Sequence, residues 1–236
     1  MDAAFKGWLE RDAYTLSEEF ETDTRQNVLI LEPGRPPEPE WGVLIGECVH
    51  NIRSALDQIV YAGAWRNTNG PISRKVAQDS EFPVFGSRPP TASEMRRRIG
   101  ALHPDAQTII QGLQPYKRLD AFASDDLWIL DQFWNLDKHR RIPVTLLAIK
   151  GLGIGRPGEN FYIETFEWLG ARPPMKGKTK LARYIVRGNV NVKRIPEFHV
   201  AFGIGTPAYG APVIPTLTRL RSYAEEQVLA PLARFL

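Results

Sequence analysis

The segment 43–65 constrains the fold more than any other stretch of the chain. At about 100° per residue, Leu44, Ile45, Cys48, Val49, Ile52, Ala55, Leu56, Ile59 and Val60 share one broad arc, opposite an arc that is polar. This pattern predicts a long helix packed against a core. The run Pro33-Gly34-Arg35-Pro36-Pro37-Glu38-Pro39 ahead of it can continue neither helix nor strand, because proline lacks an amide donor and fixes φ. Residues 66–90, rich in Asn, Gly and Pro, read as a long loop with one apolar anchor, Phe82-Pro83-Val84-Phe85.

Other elements follow from local chemistry. Phe5, Leu9, Ala13, Leu16 and Phe20 recur at three- and four-residue spacing and predict a helix over 3–20, followed by the β-prone run Asn27-Val28-Leu29-Ile30-Leu31. Thr91-Ala92-Ser93-Glu94 matches a capping box, and His103-Pro104-Asp105 opens a helix with proline at its first position. Ser124 reads as the N-cap of a helix from Asp125 to about Arg141, acidic at its start and basic at its end, as the helix dipole favours. Beyond Pro143 the texture becomes alternating and β-branched, predicting strands at Val144–Ile149, Phe161–Trp168, Leu181–Val186 and Asn191–Phe202 in an antiparallel sheet. Helical spacing returns from Pro215 to Leu236, with Pro231 a point of distortion near the end.

These elements imply an α+β protein: a helical bundle, an antiparallel sheet and a C-terminal helix. The 236 residues suit one domain with room for two subdomains, comprising a helical region over 1–141, a strand-rich region over 142–206 and a C-terminal helix over 213–236. Hydrophobic residues at 43% and charged residues at 24% exclude disordered and fibrous classes. A net charge of +3 is too small to identify a polyanion partner by itself. The single cysteine, Cys48, cannot form an intramolecular disulfide, and no stretch reads as a secretory signal or a membrane span. The expected location is cytoplasmic, with no membrane partner.

Candidate chemistry concentrates on two helices. His50, Arg53 and Asp57 stand three and four residues apart on the first, within reach of one another. The bland interpretation is a solvated face with an Arg53 to Asp57 ion pair. On the second helix, Asp131, Gln132, Asn135 and His139 form a polar stripe opposite Leu127, Leu130, Phe133 and Trp134. If the stripes share a cleft, His50 and His139 can exchange protons near neutral pH while Arg53, Lys138 or Arg140 stabilises an anion.

Competing motifs are weaker. Glu47-x-x-His50 is the spacing of carboxylate-bridged metals in bundles, but that chemistry needs the motif twice. Asp137 and His139, two residues apart on a helix, point roughly 160° away from each other. Gly153-Ile154-Gly155-Arg156-Pro157-Gly158 matches a dinucleotide fingerprint literally, yet Pro157 and the following Phe161-Tyr162-Ile163 predict a turn. Basic clusters at Arg96–Arg98, Lys138–Arg141, Lys176–Lys180 and Lys193-Arg194, with Trp168 or Tyr184 as stacking partners, suit a phosphate-binding surface only if they converge. There is no Gly-x-Ser-x-Gly elbow, Walker loop, Cys-x2-Cys pair or His-Glu-x2-His segment.

The block from Glu47 to Asp57, Glu-Cys-Val-His-Asn-Ile-Arg-Ser-Ala-Leu-Asp, followed downstream by Asn135-Leu136-Asp137-Lys138-His139-Arg140, resembles a widespread family of uncharacterised bacterial proteins. Phe82–Phe85 and Leu113-Gln114-Pro115-Tyr116 belong to the same resemblance. More loosely, the chain resembles HEPN domains, helical bundles that include metal-independent ribonucleases with an Arg-x4-His motif. Arg53 matches its arginine, but Gln58 stands in place of the histidine, and an amide is neither acid nor base near neutral pH. This resemblance implies a protein that binds or cleaves RNA without metal or cofactor. Only Arg53 is carried over from that motif; with the two polar stripes it gives the expected site residues His50, Arg53, Asp57, Asn135, His139 and Arg140, with Arg53 and Arg140 on phosphate and the histidines moving protons. RNA and a second copy of the chain are the candidate partners. The alternatives are a non-catalytic interaction protein in which these polar residues form a buried network, and a metal-dependent oxidoreductase.

Overall fold

The computed structural model describes residues 1–11, 13–153, 161–169, 177–188 and 195–236, and shows an α+β protein. It divides into two compact units. One contains Met1–Gly42, Pro143–Gly205 and Tyr209–Val213, and the other contains Val43–Ile142, Thr206–Ala208 and Ile214–Leu236.

The first unit carries the strands. Helix α1 (Asp2–Arg11) precedes β1 (Tyr14–Glu21) and β2 (Gln26–Pro33), which form an antiparallel hairpin. The helix expected over 3–20 therefore ends at Arg11. Apolar spacing in 14–20 satisfies either period, and pairing with β2 decides in favour of a strand, which leaves Phe20 61% exposed. Strand β3 (Val144–Gly153) pairs with β6 (Ile195–Phe202), while β4 (Phe161–Trp168) and β5 (Thr179–Gly188) join the N-terminal hairpin. The result is a four-stranded antiparallel sheet, β1-β2-β5-β4, and a two-stranded one, β3-β6. The C-terminal strands expected from alternation are present, but they divide between two sheets because β2 takes β5 as its partner. In β2, Val28, Leu29, Ile30 and Leu31 are all buried, as befits an inner strand, and Trp41 packs with Phe5 and Trp8.

The second unit is helical. Helix α2 (Pro39–Asn67) begins earlier than expected, because a proline in the first turn forgoes only a donor that the helix cannot use. The expected 66–90 loop contains a short helix, α3 (Arg74–Asp79), capped by Ser73. Helix α4 (Ala92–Ile99) has both hydrogen bonds of the Thr91–Glu94 capping box, and α5 (Pro104–Gly112) starts at Pro104. A 3-10 segment over Pro115–Ser124 leads into α6 (Asp126–His139). The N-cap of α6 is Asp125, which accepts from the Leu127 amide, rather than Ser124, whose hydroxyl donates to the Ala121 carbonyl. Helix α7 (Val213–Tyr223) widens into a π-helix over Ala224–Leu229 ahead of Pro231, where an α-helical path would drive the proline ring into the preceding turn. Among the described residues, no helix is long and apolar enough to cross a membrane.

Candidate functional site

The buried face of α2 is rotated from the arc that hydropathy alone selects. Ile45, Val49, Leu56, Ile59 and Val60 are buried as expected, but Leu44 is 42% exposed and Ala55 is exposed, whereas Arg53 is only 2% exposed. A buried guanidinium is tolerable only when its charge and donors are met. Arg53 Nη1 forms a hydrogen-bonded ion pair with Asp57, and Nη2 donates to the Phe82 carbonyl at 2.8 Å. Its Nε makes no hydrogen bond, and Asp131 Oδ1 lies 3.9 Å away. The guanidinium also lies over the Trp134 ring, 4.9 Å from the centroid.

Asp57 completes a clamp. Its Oδ1 accepts the Phe82 amide at 2.8 Å, so two side chains one turn apart on α2 hold both polar groups of the Phe82 backbone. Gln114, fully buried, performs the same service farther along. Its Oε1 accepts from the Phe85 amide at 3.0 Å, and its Nε2 donates to the Pro83 and Ile110 carbonyls at 2.9 and 3.1 Å. The Tyr116 amide donates to the Phe85 carbonyl at 3.0 Å. Three blocks that stand far apart in the chain thus meet around the 82–85 segment, which has no regular secondary structure to satisfy its own backbone.

Helices α2 and α6 run antiparallel and side by side. Gly46 faces Asp137, while Arg53, two turns later, faces Asp131 and Trp134, earlier in α6. The contact at Gly46 is so close that a Cβ there would lie 2.0 Å from Asp137 Oδ1. Burial pushes the Asp131 carboxyl above its usual range, and the charge of Arg53 opposes that shift. Asn135 donates to Asp131 at 3.0 Å.

Beside this contact lies a cavity of about 400 Å³, lined by Val43, Glu47, His50, Asn51 and Asp137. His50 is exposed, and its Nε2 is 3.3 Å from Ser54 Oγ. Of the six expected site residues, only His50 lines the cavity. Arg53 and Asp57 belong to the clamp, Asn135 is exposed and bound to Asp131, and His139 and Arg140 are exposed at the end of α6. The near-opposite directions of residues two apart on a helix account for this split: Asp137 lines the cavity and His139 does not.

Part of the remaining positive charge is engaged within the fold. Lys138 lies on the Trp134 ring face, and Arg98 pairs with Glu81 at 2.9 Å and lies over Phe85, while Arg96 and Arg97 are exposed. Tyr184 is buried and presents no stacking surface, and Lys180 pairs with Glu21 at 2.9 Å. Lys176, the Lys193-Arg194 pair and, beyond Gly153, the glycine-rich motif expected to be a turn lie outside the described residues. Among the described residues, no group of three His, Cys, Asp or Glu side chains is placed to hold a metal ion.

Two participants differ in how far the chain announces them. Gly46 interrupts an otherwise strong helix, where glycine costs about 1 kcal/mol relative to alanine and so implies a close approach. Gln114, directly before Pro115, carries no such signal, since nothing local announces a buried amide. No family model matches the chain, and neither a curated protein nor a solved structure matches it.

Proposed function

We propose that the protein is a non-catalytic interaction module in which the inward-facing α2–α6 groups, Arg53, Asp57 and Asp131, form a structural clamp rather than a reaction centre. One observation carries this: Arg53, the residue best suited to a phosphate, is 2% exposed and engages Asp57 and the Phe82 carbonyl through its two terminal nitrogens. A guanidinium that reads a phosphate must be reachable by it. The test is to incubate purified protein with single-stranded and hairpin RNA in EDTA and follow both retention and cleavage. The expected result is intact RNA and no retention. Cleavage that disappears in His50→Ala or His139→Ala, with the fold unchanged, overturns the proposal.

That outcome belongs to the second reading, a HEPN-like bundle that binds or cleaves RNA without metal. It is favoured by the exposure of His50, His139 and Arg140, which leaves two proton-transfer groups and a cation open to solvent. In it Arg53, Asp57 and Asn135 support the reactive groups from behind. Full activity in His139→Ala would remove its mechanism.

A further inference from the structure

Helix α2 carries a second pattern, on the side roughly opposite Arg53. Leu44, Cys48, Asn51, Ala55, Gln58, Ala62 and Trp65 follow one another at alternating steps of four and three residues, a heptad seam three repeats long. All are exposed except Cys48, which is half-buried, so the seam lies outside the core. None is charged, whereas the solvent side of a surface helix normally carries charge. Four of the ten exposed large apolar side chains among the described residues, Val43, Leu44, Tyr61 and Trp65, stand on this one helix. Exposed apolar surface gathered in one place marks an interface.

The seam reads the same from either end. Ala55 is its middle, the amides Asn51 and Gln58 flank it, and an apolar pair closes each end, Leu44 with Cys48 and Ala62 with Trp65. We propose that a second copy of the chain docks on this face, the two α2 helices running antiparallel about a two-fold axis at Ala55. That axis makes the interface self-complementary: apolar ends meet apolar ends, and Asn51 of one copy meets Gln58 of the other. The small side chain of Ala55 lets the helices approach to the roughly 8–10 Å of ordinary helix packing. Charge selects the order. Glu47 stands near one end of the seam and Arg66 just beyond the other, so antiparallel order brings opposite charges to each end, while parallel order sets like charges and aligned helix dipoles side by side. Beside the seam, Ile52, Ile59 and Leu229 line a groove of about 260 Å³ between α2 and the π-helical turn. Its exposed rim carries Arg221 and Glu225, 3.6 Å apart, a cation and an anion that each find their opposite in a second copy. A polyanion fits this face poorly, because the seam offers it no cation. The inference gives the interaction-module reading a partner and rests on it only to that extent: ribonuclease activity in a dimer would remove that reading and leave this one standing.

The test is sedimentation velocity of the full chain from about 5 to about 200 µM, a span suited to the micromolar association expected of a small interface. A shift from the monomer mass to twice that mass is expected. Ala55→Arg, which sets two like charges against each other at the axis, and Trp65→Glu should each weaken association at least about tenfold. Their circular dichroism should match wild type, because both positions are exposed. Gln78→Arg, an exposed change elsewhere, should associate like wild type. The single cysteine reports the order of the helices. In the antiparallel pair, Cys48 of one copy lies beside position 62 of the other and about 21 Å along the axis from the other Cys48, too far for a disulfide. Ala62→Cys should therefore cross-link into a disulfide dimer under mild oxidation, and wild type should not. A monomer at every concentration, or association unaltered in either Ala55→Arg or Trp65→Glu, overturns the proposal. So does a wild-type disulfide dimer through Cys48, or an Ala62→Cys chain that fails to cross-link.

Discussion

Replacing Arg53 by methionine tests the clamp directly. Methionine keeps most of the apolar volume under Trp134, so the change isolates the guanidinium rather than opening a cavity. Three consequences add up. The Phe82 carbonyl loses a buried donor, Asp57 loses its ion-pair partner, and Asp131 loses the positive charge that opposes its desolvation. Breaking a buried pair typically costs about 3–5 kcal/mol. Because the Asp57 side chain is 33% exposed and still accepts the Phe82 amide, the lower end applies, about 3 kcal/mol. Urea denaturation followed by circular dichroism should show a lower midpoint at unchanged slope. Adding Asp57→Asn should then cost less than it does alone, with a coupling of roughly 1 kcal/mol or more. A loss below about 1 kcal/mol, the range of exposed pairs, would mean that Arg53 is not the clamp described.

Two further perturbations address the same framework. Gln114→Ala strands three backbone partners, two of them buried and one part-buried, so a loss of roughly 2–3 kcal/mol is expected, together with faster hydrogen exchange at the Phe85 and Tyr116 amides; unchanged exchange would refute it. For Asp131, burial raises the folded-state pKa, so the folded protein holds that proton more tightly than the unfolded chain does. Stability from this group is therefore present at low pH and lost as pH rises from its ordinary value of 3.8 through the raised one. Wild type should lose stability relative to Asp131→Asn as pH rises above 3.8, and the opposite slope would show that Arg53 outweighs burial.

Much of the secondary structure was legible because it rests on short-range rules. The Thr91–Glu94 capping box, the proline start at Pro104 and the alternation in 161–168 each depend on neighbours a few residues away, and each appears where expected. Residues 14–20 were illegible for the same reason, since their spacing satisfied two periods and only the distant β2 chose between them. At the site, the chain alone identified His50, Arg53, Asp57, Asn135, His139 and Arg140 as unusual, and placed Asp137 and His139 on different sides of one helix. It could not show that Arg53 turns inward. That depends on backbone groups of Phe82, a segment without regular structure whose unsatisfied polar groups make a buried charge tolerable. Hydropathy assigns arginine to water because water is its default partner; only the tertiary fold supplied a better-placed carbonyl and carboxylate, and with them reversed the assignment.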